Sequence, residues 1–185
     1  MRQPVLIALG TLTVALAACA PTLGPPPPFP PPPPPPPIEP AGPPGAFRLN
    51  ELTWSAIPGG SSIEGRLLYR TRAAVYTCSG SGVVLMPESG WTIRRMQTLY
   101  GSDAAAAVPS AEARRRTPAP PPPEFNQFVR STTCDAASRF SFSRLPDGAW
   151  FIITVARPVA PAQGEEMAIM RRVVTRGGQA TMVDL

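Results

Sequence analysis

Residues 131–155 read STTCDAASRFSFSRLPDGAWFIITV, and they decide the fold that the chain is predicted to have. Phe140 and Phe142 alternate with polar residues, which is the period of a strand with one buried face. A Leu-Pro-Asp-Gly signal follows at 145–148, where proline presets the φ of a turn and glycine can take a positive φ. Residues 150–155 are apolar on both faces and rich in β-branched side chains, as in a strand within a core. The stretch therefore predicts a β-hairpin.

Similar short patterns recur through residues 47–185. Alternating or β-branched runs predict further strands at 47–49, 63–69, 75–78, 83–86, 167–175 and 180–185. Gly177-Gly178 separates the last two strands and predicts a second hairpin. Residues 47–185 are therefore predicted to form one mainly β domain, an antiparallel sandwich of about seven to eight strands with one short helix.

The helix is predicted at 91–100. Ile93, Met96 and Leu99 recur there at helical spacing, which is typical of an amphipathic helix that covers a core. The alternative is that this segment forms an exposed aromatic patch that binds a partner.

The segment from Thr133 to Trp150 resembles a known family. It follows the pattern Thr-x-Asp-x-x-Gly-x-Phe-x-Phe-x-x-Leu-Pro-x-Gly-x-Tyr of the central hairpin in carboxypeptidase regulatory-like domains. Ser138 stands where that pattern has glycine, and Trp150 stands where it has tyrosine. These domains have the transthyretin-like (prealbumin) β-sandwich fold and are usually accessory modules. The resemblance implies that fold and a non-catalytic role.

Residues 1–18 have the organisation of a signal peptide. The apolar run at 5–18 is shorter than the roughly 20 residues that a membrane-spanning helix needs. It ends in Leu-Ala-Ala-Cys at 16–19, which is similar to the lipobox of bacterial lipoproteins, whose cysteine carries acyl chains such as palmitate. Cys19 is therefore the predicted lipidation site, and by the same resemblance Ala20 favours the outer membrane, facing the periplasm, with surface exposure left open. The alternative is an ordinary signal peptide in which Cys19 is incidental.

Residues 19–46 are predicted to be a disordered stalk. Positions 25–37 are all proline except Phe29, and proline has a fixed φ and no backbone donor. Such a run adopts polyproline II, which extends about 3.1 Å per residue and would hold the domain away from the membrane. The alternative is a ligand for an aromatic groove in a partner.

Cys78 and Cys134 are predicted to form a disulfide. They are an even pair once Cys19 is acylated, and an exported protein meets an oxidising compartment. Two free thiols and a redox pair remain as alternatives, although the spacing is not that of a Cys-x-x-Cys motif.

Residues 102–123 are predicted to be a mobile insertion. An alanine tract, three consecutive arginines and a proline run follow one another there without apolar periodicity. Arg114, Arg115 and Arg116 are candidate anion-binding residues for an envelope polymer or a partner, because guanidinium groups bind carboxylates and phosphates. The alternative is that they are only solvated.

No catalytic residue, metal site or cofactor is predicted. The chain contains no histidine, which removes the usual Ser-His and Cys-His pairs and any histidine-based zinc site. Asp135 and Asp147 are in turn sequences, where aspartate is expected for structural reasons. Glu165 and Glu166 are adjacent, whereas glycosidase carboxylates face each other across a cleft.

Charge and domain order together predict the function. The chain has 17 basic and 12 acidic residues, a net charge of +5 that suits anionic polymers or lipid headgroups and is too small to indicate nucleic acid. The first hypothesis is a non-catalytic, membrane-anchored envelope lipoprotein that presents its sandwich as a structural or interaction module. The alternative is a binding or inhibitory module for an envelope polymer or a periplasmic hydrolase that uses the basic 102–123 loop.

Overall fold

The computed structural model describes residues 45–116, 118–160 and 164–185, so the predicted signal peptide, Cys19 and nearly all of the stalk lie outside the described residues. In these ranges nine strands form two sheets, which confirms the mainly β sandwich. The strands are β1 (Ser61–Arg66), β2 (Tyr76–Thr77), β3 (Gly82–Pro87), β4 (Ala105–Pro109), β5 (Arg130–Thr133), β6 (Arg139–Leu145), β7 (Gly148–Pro158), β8 (Met167–Thr175) and β9 (Ala180–Asp184). The helices are α1 (Gly90–Tyr100), α2 (Ser110–Arg115) and three 3-10 segments, Leu49–Glu51, Thr53–Ala56 and Pro123–Phe128.

The small sheet has the order β6-β1-β9. Strand β1 is antiparallel to β6 and parallel to β9, and the β1–β9 pair is the exception to the predicted antiparallel pairing. On β1, Gly65 lies opposite Phe140 of β6 on one side and opposite Val183 of β9 on the other.

The large sheet has the order β4-β8-β7-β3-β5, and β2 pairs with the end of β7. All of its pairs are antiparallel. Apolar side chains of both sheets meet between them because alternate residues of each strand point inward. This core includes Ile63, Val83, Leu85, Phe140, Phe142, Leu145, Trp150, Ile152, Ile169 and Val183.

Both predicted hairpins are wrong in their strand pairing. Strand β6 pairs with β1, and β7 pairs with β3 and β8, so the turn between β6 and β7 carries the chain from one sheet to the other. Asp147 holds this turn in place, because its carboxylate accepts hydrogen bonds from Ser61 Oγ at 2.8 Å and from the backbone N–H of Gly177 at 2.7 Å. Gly177 and Gly178 do take positive φ, of 64° and 69°, but β9 then joins β1 instead of β8. Turn residues therefore indicated where the chain reverses and not which sheet it enters.

A layer of helices covers the outer face of the large sheet. The predicted helix is confirmed as α1, which begins at a capping box in which Ser89 and Thr92 exchange hydrogen bonds. Its buried Met96 packs in a second apolar cluster with Phe151 and Met170. Burial raises the pKa of Tyr100, at the end of α1, to about 12. The large sheet therefore buries both of its faces.

Trp91 is not an exposed aromatic patch. It is half-buried, and its ring centroid lies 5.5 Å from that of Phe47 and 4.8 Å from that of Phe125. At Trp91 the prediction that the 91–100 segment is a helix covering the core is therefore confirmed.

The strand predicted at 47–49 is wrong. Residues 47 and 48 have no regular structure, and the two 3-10 segments that follow from Leu49 bring Leu52 into the second apolar cluster, fully buried. Trp54 packs edge-on against Trp150, with ring centroids 4.9 Å apart.

Residues 102–123 contain regular structure where an irregular loop was predicted. Strand β4 pairs with β8 along its whole length, and α2 follows it directly. An edge strand rich in alanine forms through backbone hydrogen bonds and needs no apolar periodicity, so no pattern in these residues indicated it. The proline-rich end of the segment packs beside α1, where Arg95 Nη1 donates to the carbonyl of Ala119 at 2.9 Å.

The predicted disulfide is confirmed. Cys78, just after β2, and Cys134, just after β5, are bonded with a Cα–Cα distance of 5.7 Å. Both residues are buried, with 0% and 3% of their surface exposed. The bond joins two strand ends that lie 56 positions apart in the sequence.

Candidate binding groove

An open groove of about 480 Å³ lies on the outer face of the small sheet. Outward-facing residues of β1, β6 and β9 form its floor, and the end of β5 with the following turn contributes one side. The polar and charged lining residues are Glu64, Arg66, Thr132, Thr133, Asp135, Arg139, Ser141 and Asp184. The groove is therefore built mainly on rigid strands.

Two arginines lie side by side on the floor. Arg66 of β1 is in register with Arg139 of β6 on one side and with Asp184 of β9 on the other. Like charges in opposed positions repel, but each arginine is held by an aspartate. Arg66 Nε donates a hydrogen bond to Asp184 Oδ1 at 2.7 Å. Arg139 Nε donates one to Asp135 Oδ2 at 3.0 Å. Both bonds use Nε. Among the described residues, no hydrogen bond engages the Nη groups of either arginine.

The turn between β5 and β6 fixes the position of Arg139. Asp135 Oδ1 accepts the backbone N–H of Ala137 at 2.9 Å and that of Arg139 at 2.8 Å. The hydrogen bond from the Arg139 N–H is the main reason that the pKa of Asp135 is lowered. Ser138 takes a φ of 57°, in the left-handed region that favours glycine, and its Oγ lies 2.8 Å from Thr77 Oγ1.

The Arg66–Asp184 pair positions groups and adds little to stability. The side-chain hydrogen bond is the main reason that the pKa of Asp184 is lowered and that of Arg66 is raised. Both side chains remain more than half exposed, at 57% and 59%, so water screens their attraction. The pair holds the Arg66 guanidinium beside Asp184 on the floor.

A second row of side chains crosses the floor beside the charged one. Glu64 of β1 is in register with Ser141 of β6 and with Met182 of β9. Met182 is 74% exposed, which is the largest exposure among the large hydrophobic residues of the described ranges. The row therefore places a carboxylate between a hydroxyl and an apolar thioether.

Gly65 lets the floor pack closely on the core. Its missing side chain leaves room for the ring of Phe140, since a Cβ atom at this position would lie 2.1 Å from Phe140 Cζ. Phe140 is 5% exposed and belongs to the core between the sheets.

The groove offers complementary hydrogen-bonding groups beside an apolar surface. The Nη groups of Arg66 and Arg139 donate, the Glu64 carboxylate accepts, and the Ser141 hydroxyl can do both. Such a site suits a ligand whose donors and acceptors are closely spaced and whose skeleton has an apolar face.

The predicted anion-binding arginines do not line this groove. Arg114 and Arg115 lie in the last turn of α2, Arg116 follows it, and all three are exposed. Arg116 forms an ion pair with Glu112 one turn earlier. Cations near a helix C-terminus are stabilised by the helix dipole, so a structural role accounts for their position.

Two other acidic residues singled out in the sequence, Glu166 and Asp147, are engaged in structural contacts. Glu166 accepts a hydrogen bond from Arg157 Nε at 3.0 Å, and Asp147 holds the turn between β6 and β7. Within the three described ranges, no group of three or more His, Cys, Asp or Glu side chains could hold a metal ion. No helix in those ranges is long and apolar enough to cross a membrane.

Sequence reasoning missed most groove residues. Glu64, Arg66 and Ser141 stand at polar positions of the alternating stretches predicted as strands, and this alternation is the one signal that the sequence carries for them. Met182 and Asp184 gave no signal beyond the same alternation. Their convergence depends on the register of β1 with β6 and β9.

Comparison with known proteins shows the fold. No protein-family model matches the chain, and no curated protein matches it, so the resemblance to carboxypeptidase regulatory-like domains stays a prediction. A solved structure from Pseudomonas aeruginosa, of a protein described as a "putative carbohydrate binding protein", is similar with a TM-score of 0.57 and 21% sequence identity. The match covers 77% of this chain and 98% of that one. The two proteins share a β-sandwich.

Proposed function

We propose that the chain is a non-catalytic binding module of the bacterial cell envelope whose groove binds a carbohydrate. The groove on the small sheet carries this proposal, because its unengaged Nη groups, its carboxylate and its hydroxyls lie beside an exposed Met182. A sugar ring presents hydroxyls that both donate and accept, together with apolar C–H faces, and so complements such a surface. The description of the Pseudomonas aeruginosa protein supports the same ligand class.

The groove aspartates support binding without hydrolysis. Glycosidases need one carboxylic acid that donates a proton, and its pKa is raised. Here the pKa values of Asp135 and Asp184 are both lowered, chiefly by hydrogen bonds from Arg139 and Arg66 to the ionised carboxylates. Both aspartates are therefore suited to orienting arginines and unsuited to donating protons at neutral pH.

Replacing Arg66 should weaken carbohydrate binding. The Arg66→Gln variant loses donors that would reach ligand hydroxyls, and a hydrogen bond to a charged group contributes about 1.5–3 kcal/mol, so we expect Kd to rise at least about tenfold. The measurement is calorimetric titration of the full-length, detergent-solubilised protein with hexamers of glucose, in β-1,4 and α-1,4 linkage, and of N-acetylglucosamine.

Arg115→Gln is the matched control, because it removes an exposed arginine that lies outside the groove. It should bind the hexamers as the wild type does. Equal losses in both variants would instead favour a general charge effect or the arginines of α2. Absence of binding to all three hexamers by the wild type would overturn the carbohydrate proposal.

The proposal includes lipid anchoring at Cys19 in the outer membrane. The order of apolar run, small residues and cysteine supports it, and two or three acyl chains anchor stably because each buried methylene contributes about 0.8 kcal/mol. We expect the intact mass of protein purified from membranes to correspond to a chain that begins at Cys19 and carries acyl groups. A protein that retains residues 1–18, or that is cleaved without added lipid, would contradict the anchor and leave the groove proposal standing.

A further inference from the structure

The groove is locally acidic although the whole chain is basic. Its five charged side chains are two arginines and three carboxylates, which gives a formal charge of −1, whereas the chain as a whole carries +5. Asp135 and Asp184 are each paired with an arginine. The carboxylate of Glu64 takes part in no ion pair or side-chain hydrogen bond among the described residues, so its charge is the uncompensated one.

Glu64 also occupies the middle of the floor. It lies on β1, the central strand of the small sheet, between Ser141 and Met182, neither of which carries a charge. The next outward-facing residue of β1 is Arg66, about 7 Å further along the strand, and it is already held by Asp184. A ligand that crosses the three strands therefore passes close to an unpaired carboxylate.

We propose that Glu64 is a specificity-determining residue that makes the groove select uncharged glycans and reject acidic ones; this inference rests on the proposed carbohydrate binding. A neutral sugar can donate hydroxyl hydrogen bonds to Glu64 and accept them from Arg66 and Arg139. A carboxylate on the glycan finds both arginines of the floor already paired with aspartates, and Glu64 repels it. Arg114, Arg115 and Arg116 lie outside the groove. Arg171 also lies outside it and acts on Asp184, the carboxylate that Arg66 already holds, at the edge strand β9 and not at Glu64 on the central strand.

The test compares ligands that separate the effect of charge from the effect of bulk. The neutral hexamer that binds most tightly is titrated alongside its counterpart with C6 oxidised to a carboxylate and alongside the methyl ester of that carboxylate. At low salt the wild type should bind the neutral hexamer roughly fivefold more tightly than the carboxylate, which is the size of one like-charge contact at an exposed site. The methyl ester should bind like the neutral hexamer, because it keeps the added bulk and removes the charge.

Glu64→Gln should remove the preference while keeping an acceptor at this position. We expect the two affinities to differ by less than about twofold in this variant, and Glu124→Gln, an exposed glutamate outside the groove, to retain the wild-type preference. Equal or tighter wild-type binding of the carboxylate, or an unchanged preference in Glu64→Gln, would overturn the inference and leave carbohydrate binding in place. A wild type that binds none of these ligands would overturn the proposed function itself.

Discussion

Removal of the Cys78–Cys134 disulfide should lower the free energy of unfolding by about 4 kcal/mol. The bond closes a loop with a sequence separation of 56, and the entropy that such a loop removes from the unfolded chain corresponds to roughly that value. Urea denaturation of the Cys78→Ala/Cys134→Ala double variant, followed by circular dichroism, measures the difference from the oxidised wild type. Double replacement avoids a single buried thiol without its partner.

Reduced wild-type protein is the control for this prediction. It should unfold at nearly the same urea concentration as the double variant, because both lack the crosslink and keep the local backbone bonds from Gly80 N–H to the Cys134 carbonyl and from Cys134 N–H to the Ser81 carbonyl. A midpoint unchanged from that of the oxidised protein would mean that the unfolded chain is not restrained by the bond.

Gly65→Ala should destabilise the chain by about 3 kcal/mol. A Cβ at this position would lie 2.1–2.6 Å from three ring carbons of Phe140, so a fully packed ring must move, and overpacking of this kind costs about 1–3 kcal/mol or more. Thermal and urea denaturation of the variant measure the loss. Adding Phe140→Leu should recover part of it, because the smaller side chain relieves the contact and makes the two effects non-additive.

Gly82→Ala is the matched control. Gly82 also lies in a strand, its φ is not positive, and no atom lies within 4 Å of a Cβ built on it. Removing the flexibility of glycine there should leave stability unchanged or slightly increased. A comparable loss in both variants would show that the ring contact at Gly65 is not the cause.

Local sequence patterns predicted the elements whose own residues determine them. Strand β8 was predicted with its observed bounds, and α1 within one residue, because their apolar positions follow the periods of a strand and of a helix. The disulfide was predicted from cysteine count and compartment. Each of these predictions uses only the residues of the element itself or the number of cysteines in the chain.

Strand pairing could not be predicted in the same way. The turns after Leu145 and after Thr175 both formed, yet each leads into the other sheet, because long-range contacts such as Asp147 with Ser61 decide where the next strand pairs. Strand β4 is specified by the backbone of β8 and carries almost no pattern of its own. Its alanines therefore looked like a loop.

The groove was hidden for the same reason. Glu64, Arg139 and Asp184 are ordinary exposed charges in their own strands, and only the β6-β1-β9 register brings them to one floor. The sequence instead drew attention to Arg114, Arg115 and Arg116, whose charge is concentrated along the chain. The charges that are consecutive in the sequence are therefore not the charges that come together in the groove.

The topology of the small sheet also has a consequence for the order of folding. Arg66 and Asp184 are 118 positions apart, whereas the neighbouring strands β7 and β8 of the large sheet follow each other directly. Contacts over long separations form slowly, because the chain must lose loop entropy before they contribute. As synthesis proceeds from the N-terminus, the large sheet has all its strands before β9 exists. We therefore expect the groove to be the last surface completed, so that ligand binding begins only when β9 has paired with β1.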